Sequence, residues 1–315
     1  MTSLPIVSLK GLYSADAGER KAAADKLGHA CREVGFFYLT DHGIPDAVFE
    51  QLFGDSAQFF ALPLADKEKL SIKQSSNNRG YVAISDEKLN PENGADFKEA
   101  FNIGVDLPAD HPDVIAGKPF CGINYWPDLP GWRERMLNYF QLCLDVGRVV
   151  HRGFALDLGV DEEFFAGPLD NAIPTLRMLH YPPGGPDQTR VDAGAGEHTD
   201  YGNITLLKTD GVDGLQVRNR QGQWIDAPAV PGAFVCNIGD CLMRWSNDIY
   251  QSTPHRVRAP EAERYSVAFF LEVDPQTSVD PKELFPDETP KYPPIAFADY
   301  LAQRLDATYG HRDKD

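Results

Sequence analysis

Cysteine is scarce in this chain of 315 residues: there are five, Cys31, Cys121, Cys143, Cys236 and Cys241, an odd number with no CxxC spacing. A disulfide framework and a zinc knuckle are thereby excluded, and buried reduced thiols are expected. Basic residues are also in the minority, with 30 Lys and Arg against 47 Asp and Glu for a formal charge of −17. Nucleic acid and anionic membrane surfaces demand clustered Lys and Arg, so neither is expected as a partner, although a local basic pocket stays compatible. Long apolar runs are missing, and no stretch approaches a membrane span. The first residues, Met1-Thr2-Ser3-Leu4-Pro5, carry no basic head, apolar core or small-residue cleavage site of a secretion signal. A cytoplasmic protein is the expectation. GxGxxG and GxxxxGK are absent, so no nucleotide cradle is proposed. Internal repeats and low-complexity tracts are absent too, and nothing specifies an oligomeric state.

What the chain does have is apolar residues, 42% of the total with 11% aromatic, enough for one large domain. Their period changes along the sequence. Residues 4–9 alternate as a strand; Ala22 to Val34 reads as a helix leading into a strand at Gly35 to Thr40. Phe49 to Phe60 is another helix, with a break beginning at Pro63. Trp132 to Leu158 repeats Met136, Phe140, Leu144 and Val150 on one face, as a long helix would. From Thr175 to Val273 the pattern becomes short apolar strands separated by turns such as Asp210-Gly211, Asp213-Gly214, Pro231-Gly232 and Gly239-Asp240. Such spacing favours a barrel or sandwich. Ala296 to Tyr309 reads as a terminal helix.

Within the strand-rich half, His198-Thr199-Asp200 places an imidazole and a carboxylate two residues apart, on one face of an extended segment. His255, just before a β-branched stretch, offers a second imidazole. Two imidazoles and one carboxylate on one side of a metal leave its other positions open. That arrangement is expected of non-haem Fe(II) oxygenases, whereas a structural zinc site is closed and rich in Cys.

Arg264 and Ser266 follow at the same i, i+2 spacing, embedded in the apolar run Val267 to Leu271. An inward guanidinium with a hydroxyl beside it suits the distal carboxylate of a dicarboxylic co-substrate. The plainer alternative is an Arg264 that is solvated or paired with Glu261 or Glu263.

With these residues in view, the chain resembles the non-haem Fe(II)- and 2-oxoglutarate-dependent dioxygenases of the isopenicillin-N-synthase-like branch, over nearly its whole length. The family's iron triad falls on His198, Asp200 and His255, and its R-x-S pair on Arg264 and Ser266. Its Tyr-Pro motif falls on Tyr181-Pro182, which would add Tyr181 to the 2-oxoglutarate site. Leu176 to Pro182, Gly196 to Leu207 and Arg244 to Asp248 are especially similar to thymine 7-hydroxylase-type enzymes. The resemblance implies a mainly β, α+β fold: a double-stranded β-helix, or jelly roll, with flanking helices. On that reading residues 1–315 are a single domain, with a mostly helical part at 1–170, the jelly-roll core and metal site at 171–280, and a helical segment at 281–315. It implies Fe(II) as the metal and 2-oxoglutarate and O2 as co-substrates. The activity implied is oxidation, most simply hydroxylation, of a small molecule with release of succinate and CO2.

Arg79, Tyr81, Phe101 and Asn102 resemble the stretch that lines the substrate side in this branch, and Tyr201, Asn203 and Trp245 join them from around the triad. For each, packing is the competing role. His180 opposes Tyr181 in strand parity and is expected to be a hydrogen-bonded core residue; His29, His42, His111 and His151 are expected to be structural. Two other functions stay open: an Fe(II) oxidase of the isopenicillin N synthase type that uses no 2-oxoglutarate, and a cupin-like metal-binding protein without oxygenase activity.

Overall fold

The computed structural model describes residues 3–87, 95–184 and 194–308. The chain opens with β1 (Ile6–Ser8) and a 3-10 turn at Lys10–Tyr13, where a strand through residue 9 was expected. α1 (Ala17–Glu33) starts five residues before the apolar period does, because Asp16 caps it by accepting a hydrogen bond from the Glu19 amide at 2.9 Å. Its first turn is charged and solvated, so periodicity could not reveal it. β2 (Phe36–Thr40), α2 (Asp46–Phe60) and α3 (Leu64–Glu68) follow. Then come β3 (Gly80–Val82), β4 (Glu99–Ile103) and α4 (Pro112–Ile115). α5 (Trp132–Leu158) has the expected bounds, set by Gly131 at φ 67° and Gly159 at φ 78°, left-handed positions that glycine fills without strain.

The second half alternates short elements: α6 (Ala166–Asp170), β5 (Thr175–Tyr181), β6 (Ala195–His198), β7 (Ile204–Thr209), β8 (Leu215–Arg218), β9 (Trp224–Asp226) and β10 (Phe234–Ile238). It closes with α7 (Asp240–Trp245), β11 (His255–Val257), β12 (Arg264–Leu271), β13 (Ser278–Val279), α8 (Pro281–Leu284), β14 (Ile295–Ala296) and α9 (Phe297–Thr308). One sheet has eight strands in the order β1-β2-β10-β7-β12-β5-β4-β3, and a second has four, β6-β11-β8-β9. Apart from the parallel β1–β2 pair, neighbours in both sheets are antiparallel. The fold is a jelly roll with flanking helices.

Strand parity divides the core in two. The inner faces of both sheets meet around Tyr38, Leu179, Tyr181, Ala195, Val217, Val257 and Ala268. The outer face of the large sheet presents Met178, Leu206, Phe234, Val267, Phe269 and Leu271 to α1, α2 and α5. On β12 this alternation sends Arg264, Ser266 and Ala268 inward and Tyr265, Val267 and Phe269 outward. Charged and hydroxylic residues therefore enter the barrel on a strand whose other face is anchored in apolar core.

Candidate metal centre and its pocket

His255, the first residue of β11, pairs directly with His198, the last of β6, so strand register alone brings the two rings to 4.2 Å between centroids. Asp200 follows β6 by two residues. Its Oδ1 lies 3.9 Å from His198 Nε2 and 3.7 Å from His255 Nε2. The three ligand atoms all fall within 4.8 Å of one another, close enough to share one ion. Among the described residues no other trio of His, Cys, Asp or Glu does so.

Neighbouring groups fix which atoms are offered. His198 Nδ1 donates to the Gly196 carbonyl at 2.7 Å and His255 Nδ1 to the Thr253 carbonyl at 3.2 Å, which leaves both Nε2 lone pairs pointing inward. Asn237 Nδ2 donates to Asp200 Oδ2 at 2.7 Å, and Thr205 Oγ1 donates to the same oxygen, so Oδ1 alone is free. Burial, then the neighbouring His255 ring, depress the His198 pKa. Burial works to raise that of Asp200, but the two imidazoles and its two hydrogen-bond donors hold it below the usual carboxylate value. At neutral pH His198 thus offers a neutral imidazole and Asp200 an ionised carboxylate, the protonation states that ligation requires.

Arg264 is 1% exposed. Nε donates to the Val212 carbonyl at 3.2 Å, Nη1 reaches Ser266 Oγ at 3.4 Å, and the guanidinium carbon lies 4.7 Å from the centre of the Tyr181 ring. No carboxylate of the described residues lies within ion-pair distance of it, and Glu263 is used instead by His180, at 3.1 Å from Nε2. A buried cation with spare planar donors, a hydroxyl beside it and no counter-ion fits a bound carboxylate. The residues present therefore suit both an iron ion and a dicarboxylate.

Other expected substrate contacts are sorted by strand face. Asn102 shares the inward face of Ala100; its Nδ2 donates to the Asn78 carbonyl at 3.2 Å and its buried Oδ1 has no partner. Arg79 is buried and close to Thr175. Tyr81 and Phe101, in contrast, lie on the outer face. The Tyr81 hydroxyl donates to Glu99 Oε2, and Phe101 packs between Phe59 and Trp132. Residues 79 and 81 would share a face on a regular strand, but Gly80 at φ 108° interrupts the alternation between them. Trp245 is packed by Phe164 and Phe165 in the helical layer. Asn203 turns to α5, where its Nδ2 donates to His151 Nε2 at 3.2 Å. Tyr201 rests against the helix-side core with the Arg304 guanidinium 4.9 Å above its ring. His180 is the hydrogen-bonded core residue expected, held by Glu99 at 2.8 Å.

Sequence reasoning missed Thr205, Asn237 and Glu272. The last two carried a signal, since each is a polar residue within an apolar strand run. Thr205 carried none, because a threonine in a strand is ordinary.

Two family profiles match the chain. One, described as the non-haem dioxygenase in morphine synthesis N-terminal region, covers residues 4–129, and the other, the 2OG-Fe(II) oxygenase superfamily, covers 172–273. The 2-oxoglutarate-Fe(II) type oxidoreductase hxnY of Emericella nidulans is 36% identical over 99% of this chain and 92% of its own length. A rice homoarginine-6-hydroxylase is 38% identical over 89% of this chain and 87% of its own. Among solved structures, the full-length Neurospora crassa thymine 7-hydroxylase in complex with alpha-KG and thymine superposes with a TM-score of 0.84 at 34% identity, covering 97% of each chain. A putative 2OG-Fe(II) oxygenase family protein from Caulobacter crescentus gives the same score at 30% identity, over 98% of this chain and 99% of that one.

Proposed function

We propose, for a chain that belongs to the 2OG-Fe(II) oxygenase superfamily and is an Fe(II)- and 2-oxoglutarate-dependent dioxygenase, an assignment of roles to its residues and a class of substrate. His198, Asp200 and His255 hold the iron through Nε2, Oδ1 and Nε2. Arg264 and Ser266 grip the distal carboxylate of 2-oxoglutarate, and Tyr181 walls that pocket with its ring against the guanidinium. When bound, iron and 2-oxoglutarate together supply the oxidising chemistry, in which O2 is consumed and succinate and CO2 are released. The protein's part is orientation and exclusion of water. Arg264, buried and with no carboxylate of the described residues within ion-pair distance, is the observation that carries the assignment, because a cation in that setting calls for an anion.

The substrate is a small polar molecule, and hydroxylation is the outcome assigned. Supporting this, similar proteins are named for homoarginine or crystallised with thymine or 5-formyluracil. The barrel interior beside the triad also carries Arg79, Asn102 and Lys98 rather than a continuous apolar lining. We assign the protein to the isopenicillin-N-synthase-like branch and to the cytoplasm. Five free cysteines, four of them buried, support the second assignment, and no helix among the described residues is long and apolar enough to cross a membrane.

Anaerobic addition of Fe(II) with and without 2-oxoglutarate tests the roles. A visible charge-transfer band that requires both is expected, lost in His255→Ala and shifted to far higher 2-oxoglutarate concentration in Arg264→Ala, which still binds iron. Unchanged 2-oxoglutarate affinity in Arg264→Ala would remove the assigned role. Oxygen uptake without succinate would favour the oxidase reading.

A further inference from the structure

A buried guanidinium, Arg79, and a half-buried carboxyl group, Glu272, face the barrel interior without meeting. Arg79 is 3% exposed; its Nη atoms make only long contacts, 3.5 Å to Thr175 Oγ1 and 3.4 Å to the Phe120 carbonyl, and its buried Nε has no partner. Gly104 makes the room it occupies, since a Cβ there would lie 1.9 Å from the guanidinium carbon. Glu272 continues the inward face of β12 past Ala268 and Phe270, and its side chain has neither hydrogen bond nor ion pair among the described residues. Gly202, two residues after Asp200, makes room for it: a Cβ there would lie 2.9 Å from Glu272 Cγ.

Register puts both on the same stretch of sheet as the partner of Asp200. Thr175, which touches Arg79, pairs with Phe270, and Phe270 pairs on its other side with Thr205, which holds Asp200. Burial, opposed by Arg79 and aided by Asp200, pushes the Glu272 carboxyl up to about 8, and burial pulls Arg79 down to about 10. The two feel each other, yet stand too far apart for an ion pair. Neither iron nor the co-substrate accounts for them, because Arg264 already serves the distal carboxylate. Fe(II) with Asp200 and a dianionic 2-oxoglutarate is net negative, so Glu272 beside it ionises only where a hydrogen-bond donor or a cation meets it.

We propose that Arg79 and Glu272 are the two poles of the substrate site. The substrate is a small nitrogen-containing molecule that gives an N–H to Glu272 and presents a carbonyl or carboxylate oxygen to Arg79. Asn102 Oδ1, buried and unpartnered, supplies a second acceptor for the same molecule. The inference rests on the oxygenase reading and narrows its substrate.

Glu272→Gln in the iron-loaded full chain tests it in two ways. Gln has the same shape and no charge, so without substrate its Tm should equal or exceed that of the wild type. A fall of several degrees, as when a structural ion pair is broken, overturns the proposal. The second readout is succinate formed from 2-oxoglutarate with uracil, hydantoin, L-arginine and L-glutamine as N–H/C=O probes, and resorcinol as an oxygen-only comparator. At least one nitrogenous probe should stimulate turnover. Glu272→Gln should then raise its half-saturating concentration about tenfold, the value of one charge-assisted hydrogen bond, as should Arg79→Met. The charge-transfer titration with 2-oxoglutarate alone should keep its wild-type midpoint. Stimulation by resorcinol alone, by no nitrogenous probe, or equally in wild type and Glu272→Gln overturns the proposal. Absence of the charge-transfer band in the wild type would instead overturn the oxygenase roles, so the two failures are distinguishable.

Discussion

Asp200 divides its two oxygens between two tasks. Oδ2 is occupied by Asn237 and Thr205, and Oδ1 is left facing both imidazoles. Outer groups of this kind set the orientation and basicity of a ligand. Replacing Asn237 by Ala leaves Oδ2 held by Thr205 alone, and iron(II) affinity is expected to fall roughly 10- to 100-fold, measured by anaerobic titration. Affinity equal to the wild type would show that these bonds do not orient the carboxylate. At this scale the sequence was legible where two side chains stand at i, i+2, as in Arg264 with Ser266 on β12 and in His198 with Asp200 where β6 ends. Parity survives folding on β12 because that segment is a regular strand. Asn237 was not legible: on β10 it pairs with Thr205 of β7 and reaches Asp200 in the segment before that strand, and no local spacing reports a partner 37 residues away.

At the scale of elements, α5 shows how a helix outside the barrel reaches the metal loop. His151, buried on its inner face, donates from Nδ1 to the Gly147 carbonyl at 2.8 Å and accepts at Nε2 from Asn203, three residues after Asp200. Accepting from Asn203 requires the neutral ring, and burial, opposed by the Gly147 carbonyl, lowers its pKa from 6.5 to about 4. The unfolded chain takes up a proton near pH 6.5 that the native ring refuses. His151 therefore lowers stability as pH falls from 6.5 towards 4, by about 3 kcal/mol in all, and adds no further loss below that. Urea midpoints for wild type and His151→Gln across this range check it; the variant should lose that part of the slope, and equal slopes would refute it. The helix itself was readable, because its apolar stripe is long and both ends carry glycine. The faces of β3 and β4 were less so. Tyr81 and Phe101 stand in apolar surroundings that suit either side of the sheet, and only the positive φ at Gly80 decides which side Tyr81 takes relative to Arg79.

Across the whole molecule, the division drawn by the two matching profiles, 4–129 and 172–273, is not followed by the sheets. β1 to β4, all from the first region, flank the eight-stranded sheet on both sides: β2 pairs with β10, and β4 with β5. Helices α1, α2 and α5 cover the outer face of the strands in between. A fragment starting at residue 171 would keep the triad, Arg264 and Glu272. It would also expose the edges of β5 and β10 and uncover Met178, Leu206, Phe234, Val267 and Phe269 to water, surfaces that pair with other chains or aggregate. We therefore expect residues 171–315 expressed alone to be insoluble or to unfold without cooperativity. The full chain should unfold in one transition, followed equally by far-UV circular dichroism and by the fluorescence of Trp126 and Trp132 in one half and Trp224 and Trp245 in the other. Two separated transitions, or a soluble fragment with a cooperative one, would mean that the strands of the first region are accessory. The single-domain reading would then fail, and the helical layer would no longer be needed to hold the barrel that carries the metal site.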